Sequence, residues 1–289
     1  MATEIDQASR AGITYWAFVT YPGSDEMNAG LSTYLASPAK SKISFAMISE
    51  LDKWGNTSLY HDVIERYARL MKSPTYQKTE DGRPIFFLGF VSDAELTSRF
   101  GGRDAFGKLM DEFRVLVKSG GLKDPYIVLL DKNVDEAKGL IHDLRLDAVS
   151  AYTVADNNVR NGQYKQLADM TSNFWQQAST AGLTVVPPVM TGWDRRPRVM
   201  NPVPWENTRY SDEQMGRFFN APTPAELESH LAAAMRFAQR PSNAGALKSV
   251  LIYAWNEFDE GGWLAPTIGD GTTRLDAVRK AVNEVCASK

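Results

Sequence analysis

The sequence predicts an α/β fold in which parallel strands alternate with helices, closed as a (β/α)8 TIM barrel. Three observations lead to this prediction. Seven short apolar runs rich in β-branched and aromatic residues are spread along the chain, and segments with helical spacing separate them. No glycine-rich phosphate turn, typical of an open doubly wound sheet, follows the first run. Because no linker-like stretch interrupts the 289 residues, we expect a single catalytic domain over residues 1–289.

The predicted strands are short apolar segments bounded by polar or turn residues. They are 13–21, 43–49, 84–91, 126–131, 148–154, 184–191 and 249–258. A barrel of this type has eight strands, and here a helix over Glu4–Ala11 precedes the first run. The sequence leaves open whether the first barrel strand is missing from this chain or another segment takes its place.

The predicted helices are segments whose apolar residues recur on one face. They are 57–72, 103–118, 133–145, 162–181, 224–240 and 272–285. Asn133 is a suitable N-cap. Thr223 is followed by Pro224 at the first helical position and by Glu226 three residues on, which is the pattern of a capping box.

Composition argues against several classes of function. The net charge is −3 with scattered basic residues, so we expect no nucleic-acid partner. No apolar run approaches the roughly 20 residues of a membrane helix, and we do not expect the polar, helical opening segment to act as a signal peptide. A single cysteine, Cys286, makes a cysteine zinc site very improbable. We expect no cofactor or metal; the compartment and the oligomeric state stay unassigned.

Acidic and aromatic side chains follow the predicted strands. In parallel α/β folds, active sites are built at these carboxyl ends. Aromatic faces stack on sugar rings and carboxylates accept hydrogen bonds from hydroxyl groups, so we expect a neutral, polyhydroxylated ligand. The candidate binding residues are Glu50, Trp54, Tyr152, Trp193, Asp194, Arg196 and Asn256.

Two carboxylates after the last strand are the candidate catalytic residues. Glu257 and Glu260 lie three positions apart in SVLIYAWNEFDEGG. Glycosidic cleavage uses two carboxyl groups, about 5–5.5 Å apart for retention and about 6.5–9.5 Å for inversion. Trp255, Phe258 and Trp263 would provide the apolar surroundings that keep one of them protonated. In the alternative, one acid faces the site while the others are solvated or pair with arginines.

The segment GWDRRPR at 192–198 follows the preceding strand and has two interpretations. In the functional one, Trp193 stacks on a sugar, Asp194 binds hydroxyl groups, and Arg195 or Arg196 orients a carboxylate. In the structural one, the segment is a surface loop held by ion pairs. Composition does not decide between them.

These segments resemble a known family. WNEFDEGGWLAP at 255–266 is similar to the W-N-E-W-x-E-G-x-x-L-x-P signature of the WbsX-like family, which is related to the family 99 glycoside hydrolases, endo-acting α-mannosidases and mannanases. GWDRRPR and, more weakly, PTYQKTEDGRPIFF at 74–87 resemble two further segments of that family. Asp259 departs from the family pattern, where His or Ala is usual, and MISELDKW departs at the strand end before Trp54.

The resemblance implies a (β/α)8 barrel and retaining glycoside hydrolysis of an oligo- or polysaccharide. Glu257 would match the residue that assists attack by the 2-hydroxyl of the sugar. Glu260 would match the general acid/base. Some WbsX-like proteins carry a glycosyltransferase label, although no phosphate-binding motif in this sequence supports a nucleotide-sugar site.

Three alternatives stay open. One is a barrel glycosidase with a different pair, in which Asp93 after the third apolar run takes the acid role. Another is an inactive or carbohydrate-binding barrel. The third is a metal-dependent hydrolase in which Glu257, Asp259 and Glu260 hold a hard cation through oxygen.

Overall fold

The computed structural model describes residues 1–23, 26–204, 206, 209–243 and 247–287 and consists of strands alternating with helices. Two compact units are present. The first comprises mainly Met1–Ser150 with Ala181–Thr184. The second comprises Ala151–Thr180 and most of the chain from Val185 onward. The single domain expected from the sequence stays a prediction.

The first unit contains a five-stranded parallel sheet in the order β1-β2-β3-β4-β5. Its strands are β1 (Tyr15–Val19), β2 (Ser44–Glu50), β3 (Ile85–Gly89), β4 (Tyr126–Leu130) and β5 (Ala148–Ser150). Every residue of β3 and β4 is buried, as expected of parallel strands that are covered on both faces. The first five predicted strands are therefore confirmed.

One helix precedes β1, and further helices connect the strands of this sheet. They are α1 (Ala2–Arg10), α2 (Ala29–Ala36), α3 (Tyr60–Met71), α4 (Asp93–Glu95), which continues as a π turn over Leu96–Phe100, α5 (Arg103–Ser119) and α6 (Val134–Leu144). Short 3-10 turns cover Glu26–Asn28, Lys40–Lys42 and Leu51–Trp54. The Asn133 side chain caps α6 by accepting a hydrogen bond from the backbone N–H of Glu136, as predicted.

The second unit contains two small sheets. Strand β6 (Pro188–Met190) pairs in parallel with β7 (Leu251–Tyr253), and β8 (Asn256–Glu257) pairs antiparallel with β9 (Gly262–Trp263). The predicted strand 249–258 is thus shorter than expected, because the chain turns after Tyr253 into a hairpin. Glu257 ends β8, and a 3-10 turn over Phe258–Glu260 follows it.

The helices of the second unit are α7 (Tyr164–Thr180), α8 (Arg196–Met200), α9 (Asp212–Met215), α10 (Pro224–Ala238) and α11 (Thr273–Ala287), with a 3-10 turn over Pro241–Asn243. One hydrophobic core of this unit includes Tyr164 of α7 together with Met190, Trp193 and Tyr253. The predicted capping box of Thr223 and Glu226 is present at the start of α10. Within the described residues, no helix combines the length and the apolar character that crossing a membrane requires.

Candidate functional site

The two conspicuous sequence segments of the second unit lie against each other. The backbone N–H of Asp194 donates to the carbonyl oxygen of Glu260 at 2.7 Å. Glycine makes this approach possible, because a Cβ on Gly192 would lie 2.1 Å from the carbonyl oxygen of Gly261. Gly261 itself has φ +75° and ends the 3-10 turn in the left-handed region. GWDRRPR and WNEFDEGG therefore form one site.

Arg198 is the centre of this site. The side chain is buried, with 8% exposure, and donates to both carboxylate oxygens of Asp259, at 2.9 and 3.2 Å. It also donates to Glu206 at 2.8 Å and to Glu260, and it lies 3.7 Å from Glu257. Burial acts to lower the pKa of Arg198, but the surrounding carboxylates outweigh burial and raise it.

Six side chains make up what we term the arginine–carboxylate cluster. Its members are joined by ion pairs within 4 Å and are Arg195, Arg198, Glu206, Glu257, Asp259 and Glu260.

Glu260 is the most enclosed carboxylate of the cluster, with 8% exposure. One of its oxygens faces Arg198 and Arg195, the latter at 3.4 Å. The other oxygen accepts a hydrogen bond from the hydroxyl group of Tyr253. Burial, followed by the charge of Glu260, raises the pKa of Tyr253 far above its ordinary value. The Tyr253 phenol therefore stays protonated and acts as a fixed donor.

Glu257 has a different environment. Its side chain is 34% exposed, and its ion pair to Arg198 is long, at 3.7 Å. Burial raises the pKa of Glu257, the negative charge of Glu260 raises it further, and Arg198 opposes the rise. Glu257 and Glu260 thus converge on one guanidinium but differ in burial and in hydrogen-bond partners, and different environments are how pairs of catalytic carboxyl groups take different roles.

Aromatic side chains lie beside the two carboxylates. Trp193 is buried, donates from its indole N–H to Asn157 at 2.9 Å, and packs 5.9 Å from Tyr253 between ring centroids. Tyr152 meets the same Tyr253 ring edge-on at 5.4 Å. Phe258, directly after Glu257, is 48% exposed. It offers an apolar face of the kind that sugar rings stack on.

Asp194 and Arg196 form a pair of their own. Asp194 accepts from the Arg196 guanidinium at 2.6 Å and from the Arg196 backbone N–H at 3.0 Å. The Arg196 guanidinium also covers the ring of Phe218 at 3.6 Å. Asn256 is exposed on β8, opposite Trp263. These three predicted binding residues belong to the same unit as Glu257 and Glu260.

Glu50 and Trp54 belong to the first unit. Glu50 ends β2, where burial raises its pKa and Lys53, at 3.5 Å, opposes the rise. Trp54 has no exposed surface. It packs edge-on against Tyr67, Phe106 and Phe113, so direct contact with a ligand would require this core to open.

Arg198, Glu206 and Tyr253 are site residues that the sequence reasoning did not single out. A signal for Arg198 was present, because Arg195 and Arg198 are three residues apart at the start of a helix and share a face, whereas Arg196 does not. Tyr253 and Glu206 gave no such signal. Tyr253 lies within an apolar run, and Glu206 lies outside regular structure.

Among the described residues, no group of three His, Cys, Asp or Glu side chains is placed to hold a metal ion. Asp259 turns towards Arg198. Asp93, the acid of the alternative pairing, is bound by Arg103 in the first unit.

Comparison with known proteins gives one family and several similar structures. The sequence model of the family described as Glycosyltransferase WbsX matches residues 51–278. The structure of the GH99 endo-alpha-mannosidase from Bacteroides thetaiotaomicron is similar with a TM-score of 0.62 and 16% identity, covering 99% of this chain and 79% of that chain. The same enzyme in complex with BIS-TRIS-Propane gives 0.61 and 16%, covering 99% and 83%.

A more distant similarity is to a structure from a study of two fungal beta-1,4-galactanases, with a TM-score of 0.54 and 12% identity, covering 96% of this chain and 90% of that chain. No curated protein sequence matches. At these identities the structural similarities establish the fold. The predicted α/β class of the TIM-barrel type is confirmed, because the fold is similar to that of the GH99 endo-alpha-mannosidase.

Proposed function

Because this chain belongs to the WbsX glycosyltransferase family, whose sequence model spans residues 51–278, we propose that it acts on glycosidic bonds and that the reaction is hydrolysis. The substrate is an oligo- or polysaccharide with α linkages. Cleavage occurs at bonds inside the glycan and retains the anomeric configuration. The similarity in fold to the GH99 endo-alpha-mannosidase supports this choice.

The observation that carries the proposal is the convergence of Glu257 and Glu260 on Arg198. Two carboxyl groups near one another, one paired with arginines and one with a raised pKa, can share the work of protonating a leaving oxygen and stabilising positive charge at the anomeric carbon. Both residues belong to one short hairpin, so only a few backbone torsion angles lie between them.

The remaining residues supply binding. Asn256 and Asp194 offer hydrogen bonds to hydroxyl groups, Phe258 offers an apolar face, and Arg196 holds Asp194 in place. The rings of Tyr152 and Trp193 pack against the ring of Tyr253. Glu50, at the end of β2, stays a candidate binding residue of the first unit by itself. Trp54 is assigned to the packing of that unit, because it has no exposed surface.

Glycosyl transfer is the second candidate, and the description of the family as a glycosyltransferase favours it. A transferase moves the sugar from a donor to an acceptor hydroxyl group other than water. It would therefore form a longer glycan, and with an activated sugar nucleotide as donor it would release a nucleotide. A hydrolase releases reducing ends from a glycan in buffer alone.

The test is hydrolysis of α- and β-linked aryl glycosides and a panel of polysaccharides, with reducing ends as the readout. We expect Glu257→Gln and Glu260→Gln each to lower kcat/KM by about 10²–10⁴-fold, the usual contribution of a positioned proton-transfer group. NMR of the first-formed sugar anomer reports retention or inversion.

Glu284→Gln is the matched control, because this acid lies in the same unit and pairs with Arg236 on the surface. We expect it to retain wild-type turnover. Undiminished turnover in either site variant would remove that residue from the mechanism. Product formation that depends on a sugar nucleotide would favour the transferase.

A further inference from the structure

Arg274 is a buried cation at an unfavourable place in the helix that carries it. It is the second residue of α11 and is 7% exposed. The N-terminal end of a helix carries partial positive charge, so a cation gains nothing from the helix there. Burial lowers the pKa of Arg274, and Asp270, at 3.6 Å, offsets this only in part. The reason for an arginine at this position must therefore lie in its distant contacts.

Those contacts are with the backbone of the two segments that form the site. The Nη1 atom of Arg274 donates to the carbonyl oxygen of Thr191 at 2.8 Å and to that of Trp263 at 3.0 Å. Thr191 directly precedes GWDRRPR, and Trp263 ends β9. One guanidinium nitrogen therefore joins the start of the arginine-rich segment to the hairpin of β8 and β9.

The side chain of Trp263 is held by the same arginine. The guanidinium of Arg274 lies 3.8 Å from the centroid of the Trp263 ring, which is a cation–π contact. The Trp263 ring in turn packs 6.0 Å from the ring of Phe258, which is exposed at the site. Arg274 thus bears on the backbone of the hairpin and, through Trp263, on its exposed aromatic side chain.

Thr191 connects Arg274 to the strand that precedes the hairpin. Thr191 is fully buried. Its N–H and its hydroxyl group both donate to the carbonyl oxygen of Tyr253, each at 2.8 Å. Its hydroxyl oxygen also accepts from the N–H of Ala254 at 3.2 Å. The carbonyl group that Arg274 binds therefore belongs to a residue that fixes the entry to the hairpin.

These contacts fix the hairpin at both of its ends. At the tip, the carbonyl oxygen of Glu260 accepts from the N–H of Asp194. At the base, Arg274 binds the carbonyl oxygen of Trp263. Glu257 lies between the two points, in β8, which pairs with β9. One contact would leave the hairpin free to pivot, whereas two contacts define its orientation.

We propose that Arg274 is a positioning residue, which orients the hairpin of the two candidate catalytic carboxyl groups against GWDRRPR. It acts through the backbone carbonyl groups of Thr191 and Trp263. This inference deepens the proposed glycosidase function and rests on it for its catalytic consequence, because a displacement of about 1 Å at a reacting group costs about 10²-fold in rate. The orienting role itself concerns the protein without substrate.

The first test measures the hairpin without substrate, by NMR-detected hydrogen exchange in the wild type and in Arg274→Met. The amides of Asp194, Ala254 and Leu264 donate to bonds across the two segments or within the hairpin. We expect them to exchange at least about 10-fold faster in the variant, beyond any acceleration in α7. Unchanged exchange at these amides would overturn the inference. Equal acceleration in α7 would also overturn it, because Arg274 would then only stabilise the unit.

Two further variants complete this test. Arg274→Lys keeps the cation but not the planar fork of donors, so we expect exchange between that of the wild type and that of Arg274→Met. Arg279→Met is the matched control, because Arg279 lies in the same helix and pairs with Asp276 on the surface, and it should exchange like the wild type. If Arg274→Met does not fold, Arg274→Lys decides, and wild-type exchange at the three amides would overturn the inference.

A kinetic arm connects orientation to catalysis. On a glycan that the wild type cleaves, we expect Arg274→Met to lower kcat by about 10–100-fold with a smaller rise in KM, and Arg274→Lys to recover part of kcat. Wild-type kcat in Arg274→Met, or a loss confined to KM, would overturn the catalytic consequence.

The two arms fail separately. Locally faster exchange in Arg274→Met, without cleavage of any glycan by the wild type, would sink the proposed function and leave the orienting role standing. Glycan cleavage by the wild type, with exchange that is unchanged or uniformly faster in Arg274→Met, would sink only the inference.

Discussion

At the scale of single residues, Arg198 determines the character of the site. A buried arginine is tolerated only when its charge is paired, and removal of a partner leaves an uncompensated charge. Here a single guanidinium joins residues 206, 257, 259 and 260. The partly buried site therefore holds more negative than positive charge. When all of its carboxyl groups are ionised, this excess lowers the stability of the folded protein.

The first prediction at this scale concerns Glu257. Its pKa in the folded protein lies above the ordinary value of 4.5, so the folded state binds the proton more tightly than the unfolded state. The contribution of Glu257 to stability is greatest at low pH and is lost as pH rises from about 4.5 through the folded-state pKa. We expect Glu257→Gln to raise Tm by about 1–3 °C at pH 7, measured by calorimetry.

The gain should shrink towards pH 4, where the wild-type carboxyl group is itself protonated. Glu80→Gln is the control, since Glu80 is exposed in the first unit, and it should leave Tm unchanged at both pH values. A gain that is independent of pH would mean that Glu257 is not held in an unfavourable ionised state.

At the scale of elements, the site depends on close contact between two turns. The segment after β6 and the 3-10 turn after β8 meet backbone to backbone, with Asp194 hydrogen-bonded to the Glu260 carbonyl. This contact sets the position of Glu260 relative to Arg195 and Arg198. Glycine at 192 and 261 is required on steric grounds, and each of these residues also has positive φ.

The second prediction is that Gly192→Ala destabilises the protein by about 3 kcal/mol or more. The new Cβ would overlap the carbonyl oxygen of Gly261, a backbone atom that cannot move away as a side chain could, and the residue would also be held at φ +149°. Urea denaturation measures the change in the free energy of unfolding. The same variant should lose activity, because separation of the turns shifts Glu260.

Gly102→Ala provides the comparison. Gly102 has φ +111° but open space around its Cβ position, so it isolates the conformational strain, for which we expect about 1–2 kcal/mol. Equal destabilisation by the two substitutions would show that the contact between the turns contributes nothing beyond backbone conformation.

At the scale of the whole molecule, charge bears on the choice of partner. The chain carries 32 basic and 35 acidic residues and a net charge of −3. The arginines of GWDRRPR, which alone could be taken for an anion-binding patch, are bound to carboxylates. A polyanion would have to displace these pairs, and it would also meet an excess of negative charge.

The third prediction is therefore that the protein does not bind nucleic acid. We expect no change in the fluorescence anisotropy of labelled single- or double-stranded DNA when protein is added to about 10 µM at roughly 0.15 M salt. Proteins that bind DNA non-specifically have Kd values of about 10⁻⁴–10⁻⁶ M at this salt concentration. Binding that weakens steeply as salt is raised would contradict the prediction and reveal a basic surface. A known non-specific DNA-binding protein serves as the positive control.

The sequence by itself determined the alternation of strands and helices, the class of the fold, the caps at Asn133 and Thr223, and the two segments that form the site. These follow from local patterns, because hydrophobic periodicity and capping operate over a few residues. The seven apolar runs all contain strands, although the last one ends at Tyr253 rather than continuing to Phe258.

Only the tertiary structure decided how the polar side chains pair. Arg198 donates a hydrogen bond to Glu260, which is 62 positions away in the sequence. The Tyr253 hydroxyl group donates to the same carboxylate, and Trp54 is fully buried in an aromatic core. Local composition carries no information about such contacts, because an arginine or glutamate is equally suited to water and to a partner. Whether such a side chain pairs depends on which distant segment the fold brings within 3 Å, and on how much water that segment excludes.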